Sequence, residues 1–147
     1  MTGVQTCALP ICETHTNVSC FGGLNGTVTI TPSGGTSPYT ISPASTTGLG
    51  TGTYTYTVTD SHGCSTTLSA TITQPTALSA SETHSDVACF GGSTGSTTIT
   101  PSGGTPPYTI NPTTTTNLSA GTYTYTVSDQ NGCTTTITVT IDRKSVV

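Results

Sequence analysis

The chain has almost no basic side chains. Arg143 and Lys144 are the only two in 147 residues, and both lie in the last five positions. Nucleic acid and anionic lipid are held through Lys and Arg, which displace counterions from phosphates and meet the negative potential of a membrane surface, so neither is an expected partner. Tryptophan is absent, and charged residues of both signs make up 5% of the chain, for a net charge of −4. No apolar run approaches the roughly 18 residues of a membrane span, which excludes direct membrane insertion by a helix. MTGVQTCALPI at the N-terminus lacks the basic n-region and long apolar h-region of a secretory signal. No stretch carries the 3.6-residue period of an amphipathic helix.

What fills the chain instead is threonine, at 40 of 147 positions, with Gly, Ser and Pro. Thr, Val, Ile and Tyr favour pleated, half-buried surfaces, while Gly and Pro favour turns. The composition is all-β.

The chain is also a duplication. ETHTNVSCFGGLNGTVTITPSGGTSPYTISP from Glu13 returns as ETHSDVACFGGSTGSTTITPSGGTPPYTINP from Glu82, and the offset of 69 residues never slips. Residues 13–72 and 82–141 agree at 39 of 60 positions without a gap, so the two copies must share one fold. The expected units are 13–75 and 76–141, with Pro75 stopping the last strand of the first. Two strings have no counterpart in the other copy: residues 1–12 and 142–147. MTGVQTCALPI and DRKSVV resemble in-frame translations of adapter sequences used in short-read DNA sequencing. On that reading both tails lie outside any domain, the basic residues are foreign to the insert, and the insert is a fragment of a longer frame.

Within each unit the period is two. Tyr54, Tyr56 and Val58 alternate with Thr55, Thr57 and Thr59, and Tyr123, Tyr125 and Val127 repeat the pattern, giving a buried Tyr/Val face and a wet Thr face. Val28 with Ile30, then Leu68, Ala70 and Ile72 with Cys64, complete the inward set, and Ile137, Val139 and Ile141 match the latter. DSHG and DQNG read as short hairpin loops, with Asp60 and Asp129 bonding their own turns and Gly63 and Gly132 left-handed. About six or seven short strands per unit fit two tandem immunoglobulin-like β-sandwich repeats, and such units joined end to end make a rod.

A unit of this size has a thin core and calls for a staple. Cys7 and Cys12 fall in the N-terminal tail, leaving Cys20 with Cys64 and Cys89 with Cys133 as equivalent pairs, each 44 positions apart. No C-x-x-C occurs, so a zinc site is not expected, and two cysteines per small Thr-rich domain point to an oxidising, extracellular setting. Strand parity favours Cys20–Cys64 and Cys89–Cys133, each closing a loop at about 4 kcal/mol of stabilisation. The alternative follows from sandwich topology. If the first strand runs parallel to the last, the two cysteines of a unit lie at opposite ends and Cys20 would pair with Cys133.

Catalytic chemistry is sparse. Glu13 and His15, matched by Glu82 and His84, share a strand face at i and i+2, and the expectation for them is an exposed polar edge rather than an acid/base dyad. Asp60 and Asp129 supply one carboxylate per loop where calcium wants six or more oxygens, so turn capping is expected. The glycine pairs of CFGG and SGG lack the following Gly-Lys-Ser/Thr of a phosphate loop. No catalytic residue, cofactor or metal ligand is assigned. Tyr39 and Tyr108, near turns, are the candidates for surface ligand contacts such as stacking on sugars.

CFGG, SGGT-x-PYT, GTYTYTV and D-x-x-GC occur in that order in both copies, and the combination resembles the SprB repeat family, tandem repeats of very large cell-surface proteins of gliding bacteria. The resemblance implies an Ig-like repeat of an extracellular protein exported by type IX secretion, active in adhesion or gliding motility. Its partners would be surface polysaccharide or other cell-surface components, together with further copies of the same repeat. After PYT the family often carries Trp and an Asn-Gly turn; here ISPAST and INPTTT follow, which shortens the third strand. The expected function is therefore a non-enzymatic structural or adhesive fragment, with a carbohydrate-binding module appended to a secreted enzyme as the alternative.

Overall fold

The computed structural model describes residues 9–143. Residues 1–8 and 144–147, most of the two adapter-like tails and with them Cys7 and Lys144, lie outside the described residues. The chain divides into two compact units, 1–74 and 75–147.

The first unit contains β1 (Ile11–Thr16), β2 (Thr27–Pro32), β3 (Thr40–Ser42), β4 (Gly52–Thr59) and β5 (Ser65–Ile72). The second repeats them as β6 (Ser79–Ser85), β7 (Ser96–Ser102), β8 (Thr109–Asn111), β9 (Gly121–Ser128) and β10 (Thr134–Ile141). In each unit the first two strands pair antiparallel as one sheet, and the other three form a second antiparallel sheet with the fourth strand in the centre. The architecture is all-β, as the composition requires, and the two sheets enclose one core per unit.

Among the described residues each unit forms five strands where six or seven were expected. The segment after β3 runs beside β2 without becoming a ladder: it contributes the Val28 N–H to Thr46 carbonyl bond and the Gly26–Leu49 bridge, with Thr97–Thr115 and Gly95–Leu118 as counterparts. Pro43 and Pro112 have no N–H to donate, and they also limit β3 and β8 to three residues each.

The two-residue period decides what is buried. Tyr56, Val58, Ala70 and Ile72 are sealed in the first unit, as are Tyr125, Val127, Val139 and Ile141 in the second. Between them alternate exposed hydroxyls: Thr53 faces Thr71 and Thr55 faces Ser69, each pair within hydrogen-bonding distance. The central tyrosines resolve their own polar cost, since Tyr56 donates to the Ser45 carbonyl at 3.1 Å and Tyr125 to the Thr114 carbonyl at 2.9 Å.

The first unit reaches further back than residue 13. Ile11 and Cys12 pair with Pro32 and Thr31 in β1–β2, and Leu9 is buried. Leu9 stands 69 positions before Leu78, which packs on the second core, so an apolar side chain from the tail fills the place this repeat reserves for a leucine. At the other boundary Arg143 forms a parallel bridge with Val87. That bridge uses backbone groups, which are indifferent to the side chain.

Candidate functional site

Each unit has two ends, fixed by β5 or β10 running between them. At the upper end, Asp60 sits between β4 and β5 and is only 7% exposed. Its Oδ1 accepts the N–H groups of His62 and Cys64, each at 2.9 Å, and its Oδ2 accepts the Thr36 N–H at 3.0 Å. The Thr36 carbonyl in turn accepts the Ser61 N–H. One carboxylate therefore both closes its own hairpin loop and fastens it to the SGGT loop. Asp129 does the same with Asn131, Cys133 and Thr105.

Burial pushes the Asp60 carboxyl up. The N–H groups of Thr36, Cys64 and His62, with the His62 charge, outweigh burial and hold the carboxyl below its ordinary value. At Asp129 burial again acts upward and the N–H groups of Thr105, Cys133, Asn131 and Gly132 prevail. The turn role was legible in D-x-x-GC; the reach to Thr36 was not. Its signal was the second glycine of SGGT. Gly35 has φ +66°, and a Cβ there would stand 2.8 Å from Asp60 Oδ2, so only glycine lets the loop close on the carboxylate.

At the lower end, the CFGG loop follows β1. The Val18 N–H donates to the Thr73 carbonyl, and Asn17 Oδ1 accepts the Thr73 N–H. In the second unit Val87 and Asp86 hold Asp142 in the same way. The loop turns on itself through the Gly23 N–H to Cys20 carbonyl bond, repeated by Gly92 and Cys89. Phe21, Leu24 and Phe90 project outward, Phe90 being 87% exposed. The Arg143 guanidinium carbon stands 5.0 Å from the Phe90 ring centroid, beside a shallow hollow of about 160 Å³ floored by Val87 and lined by Gly91, Gly92 and Ser119.

This geometry corrects the cysteine pairing. Cys64 immediately precedes β5, whereas the Cys20 loop is bonded to Thr73, immediately after β5. Eight strand residues, about 26 Å, lie between these points, against the about 7 Å between Cα atoms that a disulfide tolerates. Cys20–Cys64 cannot form within a unit, and neither can Cys89–Cys133, which the same strand separates. Cys20, Cys64 and Cys133 are each disulfide-bonded, whereas Cys89 carries a free, exposed thiol, as does Cys12. Cys20 lies in the loop after β1 and Cys64 just before β5, so strand parity fixes neither the face nor the end of either cysteine.

The other candidates are local. His15 Nδ1 lies 3.3 Å from Glu13 Oε2, and His84 Nδ1 lies 3.0 Å from Glu82 Oε2, with Asp86 Oδ1 3.8 Å from its Nε2. The hydrogen bond from Glu82 raises the His84 pKa, burial opposes it, and the charges of Glu82, Asp86 and Asp142 add to the rise. Among the described residues no group of three His, Cys, Asp or Glu side chains is placed to hold a metal, and no helix is long and apolar enough to cross a membrane. Tyr39 and Tyr108 are half-buried, and each donates its hydroxyl to a carbonyl of its own SGG loop, Gly34 or Gly103, at 2.7 Å.

The fold and its two ends define a tandem all-β repeat whose polar groups are tied into loops. The family whose model matches is the SprB repeat, over residues 13–42 and again over 81–117, so each copy contains one SprB repeat match. None of the curated proteins and none of the solved structures matches the chain.

Proposed function

We propose that this chain is a non-enzymatic structural or adhesive segment of a large secreted bacterial cell-surface protein, working as part of a stalk in adhesion or gliding motility. The observation that carries the reading is where the polar groups shared by both copies are spent. Asp60 and Asp129 hold backbone amides, Tyr56 and Tyr125 hold core-side carbonyls, and Tyr39 and Tyr108 hold their loops. They serve the scaffold, and the outward face of the β4–β5 hairpin is left to Thr and Ser. The match to a repeat family supports the same reading. The partners are further copies of the repeat and surface polysaccharide or other components of the cell surface, in an extracellular setting.

The test is a comparison on the full chain. Incubation with thermolysin should leave both units intact, and a panel of polysaccharides should be neither cleaved nor bound with micromolar affinity. Micromolar binding to a glycan array, or release of reducing ends, would replace this reading with the carbohydrate-binding alternative.

A further inference from the structure

The free thiol of Cys89 is the counterpart of a bonded one. Cys20 occupies the same place in the first copy, 69 positions earlier, in the same CFGG loop, and it is disulfide-bonded. Its partner is not the turn cysteine of its own unit, which lies at the far end of β5. The turn cysteines Cys64 and Cys133 are bonded too. Both cysteine positions of this repeat are therefore built for disulfides, and the two of one unit cannot serve each other. Cys89 is the exception, exposed at the lower end of the second copy beside the outward Phe90 and its hollow.

We propose that Cys89 is an open link, and that its partner is the turn cysteine, the equivalent of Cys133, of a further copy of the same repeat docked on the CFGG end. The inference rests on the tandem-repeat reading above. A loop cysteine at one end and a turn cysteine at the other are complementary only between copies, and the outward Phe90 beside Cys89 gives the incoming tip an apolar contact. The two thiols lose two protons and two electrons as the Sγ–Sγ bond forms. The electrons pass by thiol–disulfide exchange to a small disulfide oxidant such as oxidised glutathione, which leaves as two thiols.

The experiment lengthens the full chain by a third copy, residues 73–141, placed after Ile141 so that the 69-residue offset is kept, in a Cys12→Ser background, and oxidises it in a glutathione buffer. Circular dichroism of the lengthened chain confirms that the third copy is folded. In the parent chain with Cys12→Ser, Cys89 should be open to alkylation. In the lengthened chain Cys89 should be protected and the third copy's loop cysteine alkylated instead, and the non-reducing peptide map should join Cys89 to the third copy's turn cysteine. Adding Cys89→Ser should expose that turn cysteine to alkylation. Continued alkylation of Cys89 in the folded three-copy chain, a Cys89–Cys133 peptide, or a turn cysteine that stays protected in the Cys89→Ser form would each overturn the proposal. None of these results bears on the thermolysin and glycan measurements, which do not involve Cys89.

Discussion

Gly95→Ala should be among the most damaging small substitutions in the second unit. Gly95 faces Leu118 in an isolated antiparallel bridge, each donating its N–H to the other's carbonyl at 2.9 Å. A Cβ on Gly95 would stand 2.7 Å from Ile141 Cγ2 and 2.8 Å from the Leu118 carbonyl oxygen. Ile141 is fully buried, and the carbonyl is backbone, so neither is a flexible end that can swing away. Overpacking of this kind costs about 1–3 kcal/mol, and parting the bridge forfeits two hydrogen bonds worth about 1 kcal/mol each. The sum is a large part of the stability of a small domain. At about 4–8 °C per kcal/mol for a unit of this length, Tm should fall by more than about 10 °C in thermal melts followed by far-UV circular dichroism. Gly26→Ala should act likewise on the first unit, where Ile72 Cγ2 and the Leu49 carbonyl both lie 2.8 Å from the added carbon. Gly92→Ala is the milder comparison and should cost less, because its nearest neighbours, at 3.2 and 3.4 Å, need give only slightly. If Gly95→Ala melts within about 2 °C of the parent chain, the bridge is not a constrained approach and the packing argument is wrong.

Tyr125→Phe removes a sealed hydroxyl and its bond to the Thr114 carbonyl, which should destabilise by about 0.5–1.5 kcal/mol in a urea titration; an unchanged midpoint would show that water replaces the bond. Asp129→Asn keeps the shape but loses the charge that the amides of Thr105, Asn131 and Cys133 address, so its melting temperature should fall. Because the Asp60 and Asp129 carboxyls are lowered by folding, their contribution is whole above the ordinary 3.8 and is lost as pH falls through the depressed values. The parent chain should therefore destabilise on the acid side of that point, and Asp129→Asn should flatten the effect. His84 should titrate above 6.5 by NMR, and its contribution, present below 6.5, should fade as pH rises through the raised value. Glu82→Gln should bring that titration down, and an unmoved midpoint would remove Glu82 as the cause.

Much of the fold could be read from the residues because the alternation is strict. TYTYTV fixes two faces, and every inward residue it names is buried or half-buried. Strand number was less legible: a segment such as Thr46–Leu49 has strand-like residues and a strand-like course, yet prolines and an incomplete ladder leave it a bridge. The ends of the sandwich were hardest. Alternation does not reach Cys20, which lies in the loop after β1, and position along the strand axis comes from topology. Leu9 shows another limit, since an apolar residue near a boundary is recruited wherever the core has a vacant edge, whatever its origin.

The Asp60 clamp has a consequence for how such repeats diverge. Its carboxylate recognises amides, which every residue but proline carries, and so places no demand on the side chains between Asp60 and Cys64 other than the left-handed glycine. Ser61 and His62 of the first copy have already become Gln130 and Asn131 in the second, with the same bonds kept. Selection can rewrite the tip of each repeat while the scaffold beneath stays silent, so an array of copies can carry many different surfaces and present a moving target to whatever recognises it.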